Sequence, residues 1–81
     1  MKWIAIIVKA TWDDEAEVWV ATSDDIEGLA TEAATLEALR DKVLMMISEL
    51  MELNGTDGDW PEIPVHFLAE QSARVANPRF V

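Results

Sequence analysis

The sequence contains no cysteine and a single histidine, so neither a disulfide nor a Cys/His zinc site can staple the fold. Its three glycines, Gly28, Gly55 and Gly58, stand apart from one another, which leaves no glycine-rich loop to cradle a phosphate. Long apolar runs are missing too. The run over residues 3–8 is cut by Lys9, far short of the roughly 20 apolar residues of a membrane span, and no basic lead-in or small-residue cleavage site marks a secretory signal. Basic residues are scarce, 6 against 16 acidic, and the resulting net charge of -10 is repelled by phosphate backbones. Direct nucleic-acid binding and membrane insertion are therefore not expected, and a cytoplasmic protein is.

Against those absences stands a chain of 81 residues that is 51% hydrophobic, too apolar for an acidic disordered tail and long enough for one small domain. A domain of this size buries only about 60% of the surface of its extended chain, so its core is thin. Either that core is well packed or neighbouring subunits complete it, and a homo-oligomer is the expectation.

Residues 2–12 read as a strand with Ile4, Ile6 and Val8 on one face and Trp3, Ala5, Ile7 and Lys9 on the other. Asp13, Asp14 and Glu15 form a polar turn, after which residues 17–22 alternate Val18 and Val20 against Trp19 and Ala21, predicting an antiparallel hairpin. A second turn over residues 23–28 ends on Gly28, which is free to take positive φ, and a short third strand is expected over residues 29–33. Thr35 suits a helix N-cap, with Glu37 at the positive end of the helix dipole. Leu36, Leu39, Val43, Ile47 and Leu50 then recur at helical spacing, with Met46 and Leu53 widening the stripe, Met45 opposite it and Asn54-Gly55 as the stop. Residues 63–69 offer a fourth strand that Pro64 confines to an edge or a strand start. The expected architecture is α+β, a two-layer β-β-β-α-β domain over residues 1–70, an antiparallel sheet with one long helix on one face. Residues 71–81 carry Arg74 and Arg79 and no acid, and read as a flexible basic tail.

An ordered set of motifs goes beyond pattern. Trp12-Asp13-Asp14-Glu15, Val18-Trp19-Val20-Ala21, Asp25-Ile26-Glu27-Gly28-Leu29 and the Thr35-Leu36 helix start follow one another as in HicB-type antitoxin domains, and the chain resembles a short, mostly uncharacterised HicB-like subfamily over about residues 4–69. Glu27 stands where that family usually has a proline before the turn glycine. The resemblance implies a β-β-β-α-β fold and a partner that masks HicA, a small basic toxin with a double-stranded-RNA-binding-like fold that cleaves mRNA with a histidine. Full-length HicB proteins add a carboxy-terminal DNA-binding domain, and this sequence stops about ten residues after its last expected strand, so only the masking role is carried over.

The acids Asp13, Asp14, Glu15, Glu17, Asp24, Asp25 and Glu27, with no base between Lys9 and Arg40, fit a solvated or partner-facing rim better than a carboxylate site. Residues 54–59 lack the spacing of a calcium loop, and His66 has no second ligand to share a metal with. No cofactor, metal or catalytic set is expected. The residues expected to bind a basic partner are Trp12, Asp13, Asp14, Glu15, Trp19, Asp24, Asp25 and Glu27, the tryptophans supplying desolvated contact area. Trp3 and Trp19 fall off the faces carrying Ile4/Ile6 and Val18/Val20, and Trp3 and Met45 are expected oligomer contacts. Two other readings stay open: an orphan domain that only oligomerises, and a small-ligand binder or enzyme using Asp and Glu side chains.

Overall fold

The computed structural model describes residues 5–53 and 62–80. Trp3, Trp60 and the expected helix stop at Asn54-Gly55 lie outside the described residues. Strand β1 (Ile6–Asp13) pairs antiparallel with β2 (Val18–Thr22), and β2 pairs antiparallel with β3 (Ala30–Ala33). Helix α1 (Leu36–Leu53) then crosses the sheet, and β4 (Val65–Glu70) joins on the far side of β1 to give the order β3-β2-β1-β4. The fold is α+β in β-β-β-α-β order, with one helix packed on a four-stranded sheet.

The sheet is mixed. β4 runs parallel to β1, with Ile6 opposite Val65 and Thr11 opposite Glu70, which corrects the all-antiparallel expectation. The reason lies in the crossover: α1 carries the chain back to the end of the sheet at which β3 began, so the next strand must run in the direction of β3, and therefore of β1.

Alternation along β1 buries Ile6, Val8 and Ala10 completely, and the register aligns them with Val65, Phe67 and Ala69 on one side. On the other side Ala10 and Trp12 meet Ala21 and Trp19. Leu39, Val43 and Ile47 of the helix close over this face. Trp19 is therefore half-buried on the helix side and packs against the core, whereas Val18 and Val20 look out from the uncovered face with Ile7, Lys9 and Leu68. The face assignment read for β2 is thus reversed, because its two faces are almost equally apolar and only the register with β1 decides which one meets the helix.

The helix starts where the sequence places it. Thr35 Oγ1 accepts the Ala38 amide at 3.1 Å and its carbonyl accepts the Leu39 amide at 3.0 Å, satisfying a first-turn donor and opening the helical ladder. Met46 and Leu50 pack on the core as the stripe predicts, while Leu53 is 81% exposed and does not widen it. Met45 points outward, 66% exposed. Gly28 takes φ 91°, and its bare Cα faces Leu50, whose Cδ2 would lie 3.5 Å from an added Cβ. Ile26 and Leu29, on either side of that glycine and bonded through Leu29 N to the Ile26 carbonyl, are both buried and plug the end of the core beneath β2 and β3.

Leu39 is 1% exposed at the centre of the helix-sheet contact. Replacing it with Ala removes buried methyl groups and leaves a cavity, so Leu39→Ala is expected to lower unfolding stability by about 2–5 kcal/mol in urea titration, while Met45→Ala stays within about 0.5 kcal/mol. Equal effects at the two positions would mean that the helix is not seated as described.

Candidate functional site

The seven acids expected to meet a partner do not form one patch. Asp13, Asp14, Glu15 and Glu17 surround the β1-β2 turn, and Asp24, Asp25 and Glu27 lie in the β2-β3 turn. The five residues of β2 separate the two groups by roughly 15 Å. All are exposed except Asp25, which is half-buried.

The β1-β2 turn is built around Asp13. Its Oδ1 accepts the amides of Glu15 at 3.0 Å and Ala16 at 3.2 Å, and its carbonyl accepts the Glu17 amide at 2.7 Å. Glu17 completes the reversal in the left-handed region at φ 57°, where a non-glycine residue is uncommon. Immediately inside the turn, Trp12 and Trp19 stand opposite each other in the ladder with ring centroids 5.4 Å apart at 60°, an edge-to-face pair. The Trp12 indole Nε1–H donates to Asp14 Oδ1 at 3.0 Å, which fixes both side chains at the rim. This end of the sheet thus presents two half-buried indoles edged by four exposed carboxylates. Among the described residues the only ion pair is Arg40–Asp41, at 3.3 Å on the helix surface, so none of the turn's carboxylates is paired with a described cation.

Beside the tryptophan pair runs a cleft of about 670 Å³ lined by Thr11, Trp12, Asp14, Glu70 and the Ser72-Ala73-Arg74 segment. It forms because β1 ends at Asp13 while the chain beyond β4 continues past it. The sequence reading missed this feature: Glu70, Ser72 and Arg74 are remote from Trp12 in the chain, and only the parallel pairing of β4 with β1 brings them there.

The second acidic turn is occupied differently. The β1-β2 ladder stops at Lys9 and Thr22, leaving the backbone of Ile7 without a strand partner on that side. Asp25 Oδ2 accepts the Ile7 amide at 2.8 Å, and the Ser23 hydroxyl donates to the Ile7 carbonyl at 2.6 Å. The Asp25 amide in turn donates to Ser23 Oγ at 3.1 Å. Two side chains here replace a missing strand residue, so Asp25 holds the turn to β1, and Asp24 and Glu27 remain as the exposed acids of that end.

The Asp25–Ile7 bond is charge-assisted but lies at an exposed residue, where water competes for both groups, so its loss costs about 0.5–1.5 kcal/mol. Asp25→Ala is expected to destabilise by that amount, and Asp25→Asn, whose amide oxygen can still accept, by less. Hydrogen exchange at the Ile7 amide provides the local readout, and unchanged protection in Asp25→Ala would show that the bond is not formed.

The comparisons with known proteins match this framework to molecules of unassigned role. The chain is similar to a solved structure described as a hypothetical protein, TTHA1013, from the extremely thermophilic bacterium Thermus thermophilus, at 46% sequence identity and a TM-score of 0.63. The likeness covers 90% of this chain and 99% of that one. Among curated proteins no match is found. The family described as Domain of unknown function (DUF1902) matches residues 5–79, from just before β1 to nine residues beyond the end of β4, and the chain belongs to that family.

Proposed function

We propose that this domain is an antitoxin-like protein-interaction module that binds and masks a small basic HicA-type mRNA-cleaving toxin, using the tip of the β1-β2 hairpin. The observation that carries the reading is the pair of indoles at 5.4 Å set among four exposed carboxylates that form no ion pair among the described residues. Tryptophan supplies large, rigid contact area and dominates interface energetics, while the surrounding acids attract a positive surface and raise the rate of encounter. A face evolved to grip the phosphates of RNA has the charge this tip complements, and occupying it would exclude RNA and cover the toxin's catalytic histidine. The ordered HicB-like motifs support the same partner class. Their four pieces fall on β1 and its turn, on β2, on the turn that carries the Ile26/Leu29 plug and on the helix start.

Chemistry by these carboxylates has less support. Asp13, Asp14, Glu15 and Glu17 are exposed, two of them are engaged in holding the turn and Trp12, and the β2-β3 group lies at the other end of the strand. The cleft beside Trp12 is the place where a small ligand would bind in the competing reading.

Co-expression with a small basic HicA-type toxin, such as any encoded beside this protein, tests the proposal. Relief of growth inhibition and salt-sensitive co-purification are expected. Trp12→Ala combined with Asp14→Lys should weaken binding at least about 30-fold, the effect of losing a hot spot worth ~2 kcal/mol. Asp24→Lys, at the far end of β2, should leave the affinity within about threefold, because it is an exposed rim charge distant from the indoles. Growth inhibition that persists on co-expression, together with no co-purification at low salt, would remove the reading.

A further inference from the structure

The chain beyond β4 is not folded back on its own body. Residues 71–80 are exposed without exception, Val75 at 92% and Phe80 at 85%, and no regular structure intervenes before a short 3₁₀ turn at Pro78–Phe80. The Cα trace measures 59 × 24 × 18 Å with a radius of gyration of 16.2 Å, against about 12 Å for a compact chain of this length. The sixteen residues from Val65 to Phe80 span roughly 53 Å if fully extended, so β4 and its continuation can account for the long axis. Yet the family match runs to residue 79, which makes this arm part of the domain's shared pattern.

Charge divides at the same boundary. Residues 1–70 hold all 16 acids and 4 of the 6 bases, a net -12, and residues 71–81 hold Arg74 and Arg79 and no acid, a net +2. An extended, basic, partly apolar segment with free backbone groups is suited to add as a strand to an open sheet edge of an acidic body. The sheet has two edges. At β3, which is only four residues long, Lys42 reaches from the helix and donates to the Glu32 carbonyl at 2.7 Å, the kind of lysine that blunts an edge. At β4, six residues long, no side chain among the described residues bonds the strand backbone.

We infer that the arm of one copy pairs with the outer edge of β4 of a second copy, and that the second copy's arm returns the exchange. Because β4 and the arm are one continuous segment, antiparallel pairing about a two-fold axis near Gln71 makes both contacts at once, the isologous arrangement expected of a closed dimer. In that register Val75 stands opposite the half-buried Phe67 of the other copy, and Ala73 opposite Ala69, which lengthens the helix-covered face. Arg74 stands opposite Leu68 and diagonal to Glu70, within reach of a cross-strand ion pair. Pro78, which cannot donate to a ladder, ends the pairing where β4 of the second copy begins. The inference is independent of which partner the hairpin tip binds.

Sedimentation equilibrium of the full chain should show a dimer, and Val75→Pro, which removes one ladder donor at a fully exposed position, should shift it to monomer with unchanged far-UV circular dichroism. The absence of native cysteine allows a direct test of register. Ala69→Cys/Ala73→Cys should form interchain disulfides on mild oxidation, because the two positions lie about 13 Å apart within one extended chain but opposite each other across the pair. Each single cysteine variant should not cross-link, since residue 69 is likewise about 13 Å from its own copy in that register. A monomeric full chain, a dimer that Val75→Pro leaves intact, or a double variant that forms no interchain bond overturns the inference.

Discussion

One helix has to seal one face of a four-stranded sheet, and that limit shapes the rest of the molecule. Among the described residues only nine form the buried core: Ile6, Val8 and Ala10 from β1, Ala21 from β2, Leu39, Val43 and Ile47 from the helix, and Ile26 and Leu29 from the turn. The central strands are sealed at Ile6, Val8, Ala10 and Ala21 but only half-buried at Trp12 and Trp19, and in β4 Val65 and Phe67 stay half-buried while Ala69 is exposed. At ~0.05–0.15 kcal/mol per residue, a domain of this length has about 4–12 kcal/mol of stability in all. Local polar devices then matter in proportion. The Thr35 cap and the Ser23-Asp25 clamp on Ile7 each secure an end of an element that packing alone reaches weakly.

The placement of charge follows from the same limit. With no interior to spare, no charged side chain is buried among the described residues, and seven of the 16 acids collect in the turns at the two ends of β2. There water screens their mutual repulsion, and each turn also uses a carboxylate for its own geometry: Asp13 accepts the amides of its reversal, and Asp25 accepts that of Ile7. The acidity is thus partly a requirement of the fold. What the fold does not require is the excess: Asp14, Glu15, Glu17, Asp24 and Glu27 remain exposed beyond the carboxylates that brace the backbone, although Asp14 also holds the Trp12 indole.

Local signals were legible and relational ones were not. The helix, its Thr35 cap, the hairpin and the positive φ at Gly28 each depend on a few neighbouring residues, and each stands where the pattern places it. The direction of β4 depends on how the helix returns across the sheet, which no window of sequence encodes. The orientation of β2 depends on its register, and a strand reading Val-Trp-Val-Ala is apolar on both faces, so alternation fixed the period and left the face open. Asp25 was readable as an acid in an acidic turn, but its bond to Ile7 joins residues 18 apart. Ile26 carried the one available signal at that turn, a large aliphatic residue inside a run of acids, and it marks the plug of the core.

The exposed arm and the acidic hairpin meet at one place. Thr11 pairs with Glu70, so Trp12 lies beside the start of the arm, and Ser72 and Arg74 line the cleft that Trp12 and Asp14 open onto. If two copies pair along β4 about Gln71, their β1 strands flank the axis about 14 Å apart, three strand spacings. The antiparallel pairing points the two hairpins in opposite directions, but since Thr11 is level with Glu70, both indole pairs and both acidic turns come close to the two-fold axis of an eight-stranded sheet. Eight like charges at that separation repel, and the Arg74 residues, carried into the seam beside Glu70, are the cations placed to offset them. The arm's basicity, which within a single copy already sets Arg74 in the cleft with Asp14 and Glu70, is also what a joined acidic surface would need. That surface would offer a basic partner twice the charge and twice the aromatic area of one hairpin, and two linked sites bind a paired ligand far more tightly than either does alone.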